Sequence, residues 1–478
     1  MMKSKIYIRA DGNSEIGLGH ITRSLALAEM LKKDFNCIFV TRFLTDYINT
    51  EARKVCNDII KLPESDEHLD AFLSILSGDE VVVLDNYFFT TEYQKRIREK
   101  TCKLVCIDDM HDKHFVADVV INHAGGIKKE DYSAEPYTQL YLGIEYAIVR
   151  PEFMERKSYE GTSSMLICFG GADIHNATCE VLNLLEEKQF PYHCHVVIGD
   201  AFLHQQSLEM FIKTSKLTIK VHKNLSAQEM ANLMSECEYA ICQPSTVSFE
   251  YLLQRGGELY VKKTAENQKN IYSFYIENNI AFDISELFVK DEVRINENKK
   301  NQLNYFDGKS QERIISIFKK LQKERLLQLR KAQLSDLDLY FHWANDPYAR
   351  HNAVIAKQIG YEEHCAWFAK KITSNDTHLW VLEEREKPVG QIRFDLDRGQ
   401  KEATLSYSIA PEYRGKGMGL LIVKMGLELF FRTECNFLTI NAIVKATNEY
   451  SRKIFERFNF QINEEKNGFI FYQFISRK

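Results

Sequence analysis

Gly17-Leu18-Gly19-His20 follows a short apolar run, Ile6-Tyr7-Ile8, and a polar turn, and it opens a stretch in which Ile21, Leu25, Ala28 and Leu31 recur at helical spacing. Strand, glycine-rich turn and helix start, in that order, predict a βα unit with an anion site at its crossover. Glycine lets backbone come close to a ligand, and the N–H groups of a first helical turn face negative charge. His20 stands at the edge of that site, where an imidazole can take a proton from water. The same four residues also read as an ordinary βα turn with a capping histidine.

At 478 residues the chain is longer than one hydrophobic core supports, which predicts two or three domains. Its 45% apolar and 27% charged residues are those of a soluble globular protein. Lys plus Arg is 62 against 67 Asp plus Glu, a balance that argues against a nucleic-acid partner. Among the 11 cysteines, Cys37, Cys106, Cys168 and Cys242 lie inside apolar runs and read as buried thiols of a reducing, cytoplasmic protein. A strand by residue 6 leaves no room for a signal peptide, and no apolar run approaches membrane-spanning length, so no membrane association is expected.

Outward from the opening turn, short β-branched runs alternate with amphipathic stretches to about residue 155, which predicts a parallel sheet covered on both faces. Ligands in such sheets sit beyond the carboxyl ends of the strands. Three of those ends carry acidic residues: Arg9-Ala10-Asp11, Asp85-Asn86-Tyr87 and Asp108-Asp109. Each alone also reads as a turn or cap. A second βα series, 156–290, carries Gly170-Gly171-Ala172-Asp173 after one strand, Gln243-Pro244-Ser245-Thr246 after another with Glu250 on the next helix, and Glu266-Asn267-Gln268 at a further helix start. Two tandem doubly wound domains, with a cleft between them, are therefore expected.

Residues 291–330 read as linker and helix, because Asn296 to Asn301 is polar without periodicity and Gln311 to Lys331 is a charged amphipathic stretch. The remaining 331–478 reads as an α+β unit. In it Arg414-x-x-Gly417-x-Gly419 joins a strand to a helix and makes a second backbone anion cradle. Cys102, Cys106, His111 and His114 lack the paired spacing of a zinc site, and no metal is expected.

Arg9-Ala10-Asp11 followed by Ile16-Gly17-Leu18-Gly19-His20-Ile21-Thr22-Arg23 resembles the opening of the nucleotide-sugar hydrolases of pseudaminic acid biosynthesis. The resemblance extends in order through Asp85-x-Tyr87, Phe169-Gly170-Gly171-Ala172-Asp173, Ser245-Thr246 with Glu250, and Asn267-Gln268. It implies two Rossmann-like domains in the GT-B arrangement and release of UDP from UDP-2,4-diacetamido-2,4,6-trideoxy-β-L-altropyranose. His20 becomes the catalytic base, and Asp11, Asp85 and Tyr87 orient it or the sugar. Gly17, Gly19, Arg23, Gly170, Gly171, Ser245, Thr246, Glu250, Asn267 and Gln268 become substrate contacts. Pro244 and Gly257-Glu258 depart from the usual pattern around the uridine pocket.

The last unit resembles the GNAT N-acetyltransferases through Trp343-Ala344-Asn345-Asp346-Pro347, Gln391-Ile392-Arg393-Phe394 and the Arg414 to Gly419 turn. That implies acetyl-coenzyme A as co-substrate, its pyrophosphate on Arg414, Gly415, Gly417, Met418 and Gly419, and its pantetheine against Ser408 and Ile409. Asn448 and Ser451 would add further contacts, with Glu402 as candidate base. Phe455 stands where many such enzymes place a tyrosine acid, leaving Tyr450 or solvent to substitute. Together the resemblances imply acetylation of the C4 amine of a UDP-linked amino sugar followed by hydrolysis of UDP. The rival readings are a glycosyltransferase and a UDP-sugar-binding module, each fused to an N-acetyltransferase.

Overall fold

The computed structural model describes residues 3–13, 17–155, 163–254, 256–288, 291–434 and 436–475, so Ile16 of the opening motif lies outside the described residues. Two compact units divide the chain, Met1–Leu321 and Gln322–Lys478.

The first unit contains two parallel sheets. One is built from β1 (Lys5–Ala10), β2 (Asn36–Thr41), β3 (Asp58–Lys61), β4 (Val81–Asp85), β5 (Lys103–Ile107), β7 (Val119–Asn122) and β9 (Gln139–Leu142), in the order β3-β2-β1-β4-β5-β7-β9. A two-residue pair, β6 (His114–Phe115) with β8 (Ser133–Ala134), stands apart. The other holds β10 (Ser164–Cys168), β11 (His193–Ile198), β12 (Ile219–Lys223), β13 (Tyr239–Cys242), β14 (Glu258–Val261) and β15 (Phe282–Asp283), in the order β12-β11-β10-β13-β14-β15. Strands covered on both faces need no alternation, which is why Val81–Asp85 and Ser164–Cys168 are buried at every position.

Strand order fixes where a ligand can sit. From β1 the chain steps outward to β2 and β3, then returns to lay β4 against the other side of β1, with Ala10 opposite Asp85. The second sheet does the same, laying β13 beside β10 with Cys168 opposite Cys242. At such reversals the flanking helices diverge and open a crevice at the carboxyl ends. The strand ends at these reversals lead into Asp11 and Asp85 in one sheet and into Gly170 and Gln243 in the other.

The stretch read as a polar linker is helical, over Glu292–Tyr305, and continues into the helix Ser310–Glu324. Its buried face is polar: Asn298 and Gln302 are buried, and Gln302 Nε2 donates to the carbonyls of Gly257 (2.9 Å) and Ile280 (2.8 Å). Amides replace the apolar stripe by which periodicity recognises a helix. Ile314, Ile317, Phe318 and Leu321 then join the core of the first sheet around Phe35. Residues 291–321 are thus part of the first compact unit rather than a tether.

The second unit is a sheet of β16 (Leu327–Lys331), β17 (Thr377–Glu384), β18 (Lys387–Asp397), β19 (Glu402–Ile409), β20 (Thr439–Lys445), β21 (Gln461–Lys466) and β22 (Phe469–Ile475), ordered β16-β17-β18-β19-β20-β22-β21. All neighbours are antiparallel except β19 and β20, which pair in parallel over Glu402–Thr404 and Thr439–Asn441 and then part. β18 stays paired with β19 as far as Ile409. The sheet is therefore split on one side of β19 only. The helix Met418–Thr433 covers one face, with Ile422, Val423, Leu427 and Phe430 buried against the strands. Among the described residues no helix is long and apolar enough to cross a membrane.

Candidate active sites

In the first unit, Asp85 ends β4 fully buried, and three side chains of the helix Gly19–Leu31 converge on it. His20 Nδ1 lies 2.8 Å from Asp85 Oδ1. Arg23, one turn on, donates from Nε (2.9 Å) to Oδ2 and from Nη2 (2.6 Å) to Oδ1, and Ser24 Oγ donates to Oδ2 at 3.3 Å. Burial works against the carboxylate, yet the Arg23 charge and the hydrogen bonds from His20 and Arg23 hold its pKa well below the usual carboxylate range. An ionised carboxylate only accepts. Nδ1 of a neutral His20 therefore carries the ring proton, and Nε2 is the atom with a lone pair.

Arg23 Nη1 also donates to Asp109 Oδ1 (2.6 Å) and lies 3.4 Å from His123 Nε2. Burial and the Arg23 charge push His123 down to about 4, so it is neutral at physiological pH. Two carboxylates, Asp85 and Asp109, thus share the one Arg23 guanidinium.

Tyr87 packs its ring edge-to-face on His20, centroids 4.6 Å apart. Its hydroxyl accepts from Asn267 Nδ2 at 2.8 Å, so a residue following the second sheet's β14 reaches the His20 site on the first. Gly17 has φ +82°, a conformation that favours glycine, and among the described residues beyond the local backbone no atom lies within 4 Å of where a Cβ would stand at Gly17 or Gly19.

Other expected contacts are placed differently. Asp11 is fully buried and accepts from Arg9, Thr41 Oγ1 (3.1 Å), Arg42 N (2.7 Å) and Arg42 Nε (2.6 Å). Its link to the His20 cluster is indirect: its carbonyl accepts from Asn86, next to Asp85. Arg23, expected on substrate, is buried between Asp85 and Asp109 and braces the two strand ends. Glu250, expected to be open to a ribose, is 3% exposed and bound at both oxygens by Arg150, Nε–Oε1 2.8 Å and Nη2–Oε2 3.0 Å.

The Gly170-Gly171 turn packs on the turn after β11, and a Cβ on Gly199 would stand 2.8 Å from Gly171 Cα. Asp173 caps the helix Ala177–Glu187, accepting from Ala177 N and Thr178 N at 2.8 Å each, so this helix start already holds a carboxylate. Gln268 is buried, accepting from Thr264 N (2.7 Å) and donating to Gln243 Oε1 (3.1 Å). Ser245 and Thr246 stand half-buried at the start of the helix Thr246–Gln254.

In the second unit the Arg414 to Gly419 turn has the backbone of a cradle. Gly415 and Gly417 take φ +72° and +78°, no atom lies within 4 Å of a Cβ at either, and the helix begins at Met418, itself buried. The Arg414 side chain folds back, Nε donating to Ile409 O (3.0 Å) and Nη2 to Asp346 Oδ1 (2.6 Å). Ser408 and Ile409 lie where β19 has parted from β20. Asn448 Oδ1 accepts from Ser451 N (3.2 Å), and Ser451 Oγ lies 2.9 Å from the Tyr407 hydroxyl. Phe455 is core, stacked on Tyr472, and Tyr450 is exposed. Glu402 lies at the closed end of the split, accepting from Asn441 Nδ2 at 2.9 Å.

The family description "Acetyltransferase (GNAT) domain" matches residues 326–461. The UDP-2,4-diacetamido-2,4,6-trideoxy-β-L-altropyranose hydrolase of Campylobacter jejuni is 25% identical over 257 residues, 52% of this chain and 88% of its own. The chain joins a part similar to that hydrolase to a GNAT domain. An uncharacterized protein of Methanocaldococcus jannaschii is 29% identical over 404 residues, 80% of this chain and 81% of its own. The spore coat polysaccharide biosynthesis protein SpsG of Bacillus subtilis is 26% identical over 251 residues, 49% of this chain and 70% of its own.

The GNAT domain supports an enzyme and implies use of acetyl-coenzyme A, which the glycine turn and the split sheet fit. In the hydrolase-like part the fold gathers His20, Asp85, Tyr87, Arg23 and Asn267 into one cluster and leaves Asp11, Gln268 and Glu250 in separate networks. Arg150 and His123 went unread in the sequence. Each is a polar residue near the end of an apolar run, and only the strand order brings His123 to the edge that Asp85 occupies.

Proposed function

We propose that the fusion carries out two successive steps on one nucleotide-linked sugar in pseudaminic acid biosynthesis: N-acetylation of the C4 amine by the GNAT domain, then hydrolysis of the UDP bond by the first unit. The observation that carries the second step is the His20–Asp85 pair at the strand-order reversal, with Asn267 reaching Tyr87 beside it. His20 Nε2 takes a proton from water as the water oxygen attacks the anomeric carbon. The bond from that carbon to the diphosphate oxygen breaks, and UDP leaves with the electron pair. Charge growing on the diphosphate is met by the amides at Gly19 and by Ser245 and Thr246.

In the acetyl step the C4 amine attacks the thioester carbon, an N–C bond forms and the C–S bond breaks. The sulfur keeps the electron pair and is protonated from solvent, while Glu402 takes the proton lost by nitrogen. Gly415, Gly417, Met418 and Gly419 hold the pyrophosphate, and the freed edge of β19 at Ser408 and Ile409 pairs with the pantetheine amides. Asn448 and Ser451 complete that wall. Buried free thiols such as Cys106 and Cys242 support a cytoplasmic site of action.

The test is to incubate the full chain with UDP-4-amino-4,6-dideoxy-N-acetyl-β-L-altrosamine and acetyl-coenzyme A and to follow products by mass spectrometry. Free diacetamido sugar together with UDP is the expected result. Acetylated nucleotide sugar that stays intact, or that releases UDP only when an alcohol acceptor is added, would refute the hydrolase step.

A further inference from the structure

Behind the closed end of the split in the GNAT sheet lies a cavity of about 390 Å³, lined by Glu402, Thr404, Asn441, Asn463, Phe471 and Gln473 among others. It opens on the face of β19 that carries Glu402 and Thr404, while Ala403 and Leu405 point into the core. Its polar groups form a ladder across three strands. Gln473 Nε2 on β22 donates to Asn441 Oδ1 on β20 (3.3 Å), and Asn441 Nδ2 donates to Glu402 Oε2 on β19 (2.9 Å). A register shift between Ile462 and Glu464 sets Asn463 as an extra residue in β21, and that residue lines the cavity too. Bulges of this kind re-aim a side chain next to functional sites.

Resting on the acetyltransferase reading, we infer that this cavity is the acceptor pocket of the GNAT domain, and that Asn441, Asn463 and Gln473 select a primary amine carried on a hydroxylated or acetamido-substituted ring. Three amides offer donors and acceptors to hydroxyl and acetamide groups, and Phe471 offers an apolar face to ring carbons. The volume lies within the roughly 300–1,000 Å³ of small-molecule pockets. Among the described residues lining it there is one carboxylate and no Lys or Arg. The pocket therefore attracts an amine and is unsuited to a phosphate, so the diphosphate of a nucleotide-linked acceptor stays outside it. Glu402, held by Asn441, faces the amine and receives its proton.

The test uses the full chain loaded with coenzyme A, with UDP-4-amino-4,6-dideoxy-N-acetyl-β-L-altrosamine as probe. Calorimetry gives probe and acetyl-coenzyme A affinities, and acetylation kinetics give the KM for the amine. Asn441→Leu and Gln473→Leu are expected to raise the amine KM and the probe Kd at least tenfold, with acetyl-coenzyme A Kd within twofold of the parent. Asn463→Ala, at an exposed position where folding is not at stake, is expected to raise them severalfold. Unchanged amine KM in all three variants, or equal losses of amine and acetyl-coenzyme A affinity, would overturn the assignment. Probe that binds and is weakened by these variants but is never acetylated would sink the acetyltransferase reading and leave the pocket standing.

Discussion

Asp85 Oδ1 receives both His20 Nδ1, at 2.8 Å, and Arg23 Nη2, at 2.6 Å, so one buried carboxylate orients the imidazole and is itself kept ionised by the guanidinium. The pairing makes the orientation of the His20 ring depend on a fully buried carboxylate.

Asp85→Asn tests that dependence. An amide in the same place can donate to Nδ1 and so favour the tautomer with its proton on Nε2, which removes the base without moving the ring. UDP release should fall by roughly 10²–10⁴-fold, about as far as with His20→Ala. Release measured with a coupled UDP assay at a rate near the parent's would show that His20 does not act as the base.

His123 gives the protein a pH signature. Its pKa falls from the ordinary 6.5 to about 4 on folding, so the unfolded chain binds the proton first. The stability it allows is intact above about pH 6.5 and declines as pH drops from there toward 4, by up to roughly 3 kcal/mol. His123→Gln should flatten that part of the curve relative to the parent. Urea unfolding at half-unit pH steps would read the difference, and identical slopes would contradict it.

Asn267 and Tyr87 meet through one hydrogen bond at a solvent-exposed place. Asn267→Ala should therefore change melting temperature little while lowering kcat/KM for UDP release by about tenfold, the scale of about 1.4 kcal/mol of lost positioning. A large drop in melting temperature with unchanged kcat/KM would assign the contact to architecture.

Lys424 Nζ and Glu324 Oε2 form an ion pair at 2.8 Å with both side chains 2% exposed. Lys424→Met alone leaves a buried carboxylate without that partner and should cost about 3–5 kcal/mol, whereas Lys424→Met with Glu324→Leu should recover most of it. Thermal unfolding of the two variants decides between this and an additive loss.

The parallel sheets were legible because buried strands such as Val81–Asp85 announce themselves as unbroken apolar runs, and the helix starts because glycine and polar turns precede them. The helix Glu292–Tyr305 was not, since it buries Asn298 and Gln302, which no hydrophobic period detects. β21 was hidden for a similar reason: all six of its residues are exposed, and it is held by pairing with β22 alone. At the candidate site, the acidic strand ends pointed to Asp85, but nothing local tells that Arg23 turns inward or that Arg150 closes on Glu250. Those are long-range ion pairs, fixed by which strands become neighbours.

β19 and β20 share only three paired positions before they separate. Past Thr404, among the described residues, no neighbouring strand pairs with the inner edge of β19, and an arm carrying amide bonds of its own can fill the missing rung. On the donor pairing proposed above, donor and protein finish one sheet together, so heat resistance of this domain should climb with the logarithm of acyl-donor concentration once that exceeds the dissociation constant. A cell starved of acetyl groups would hold this enzyme in its least durable form.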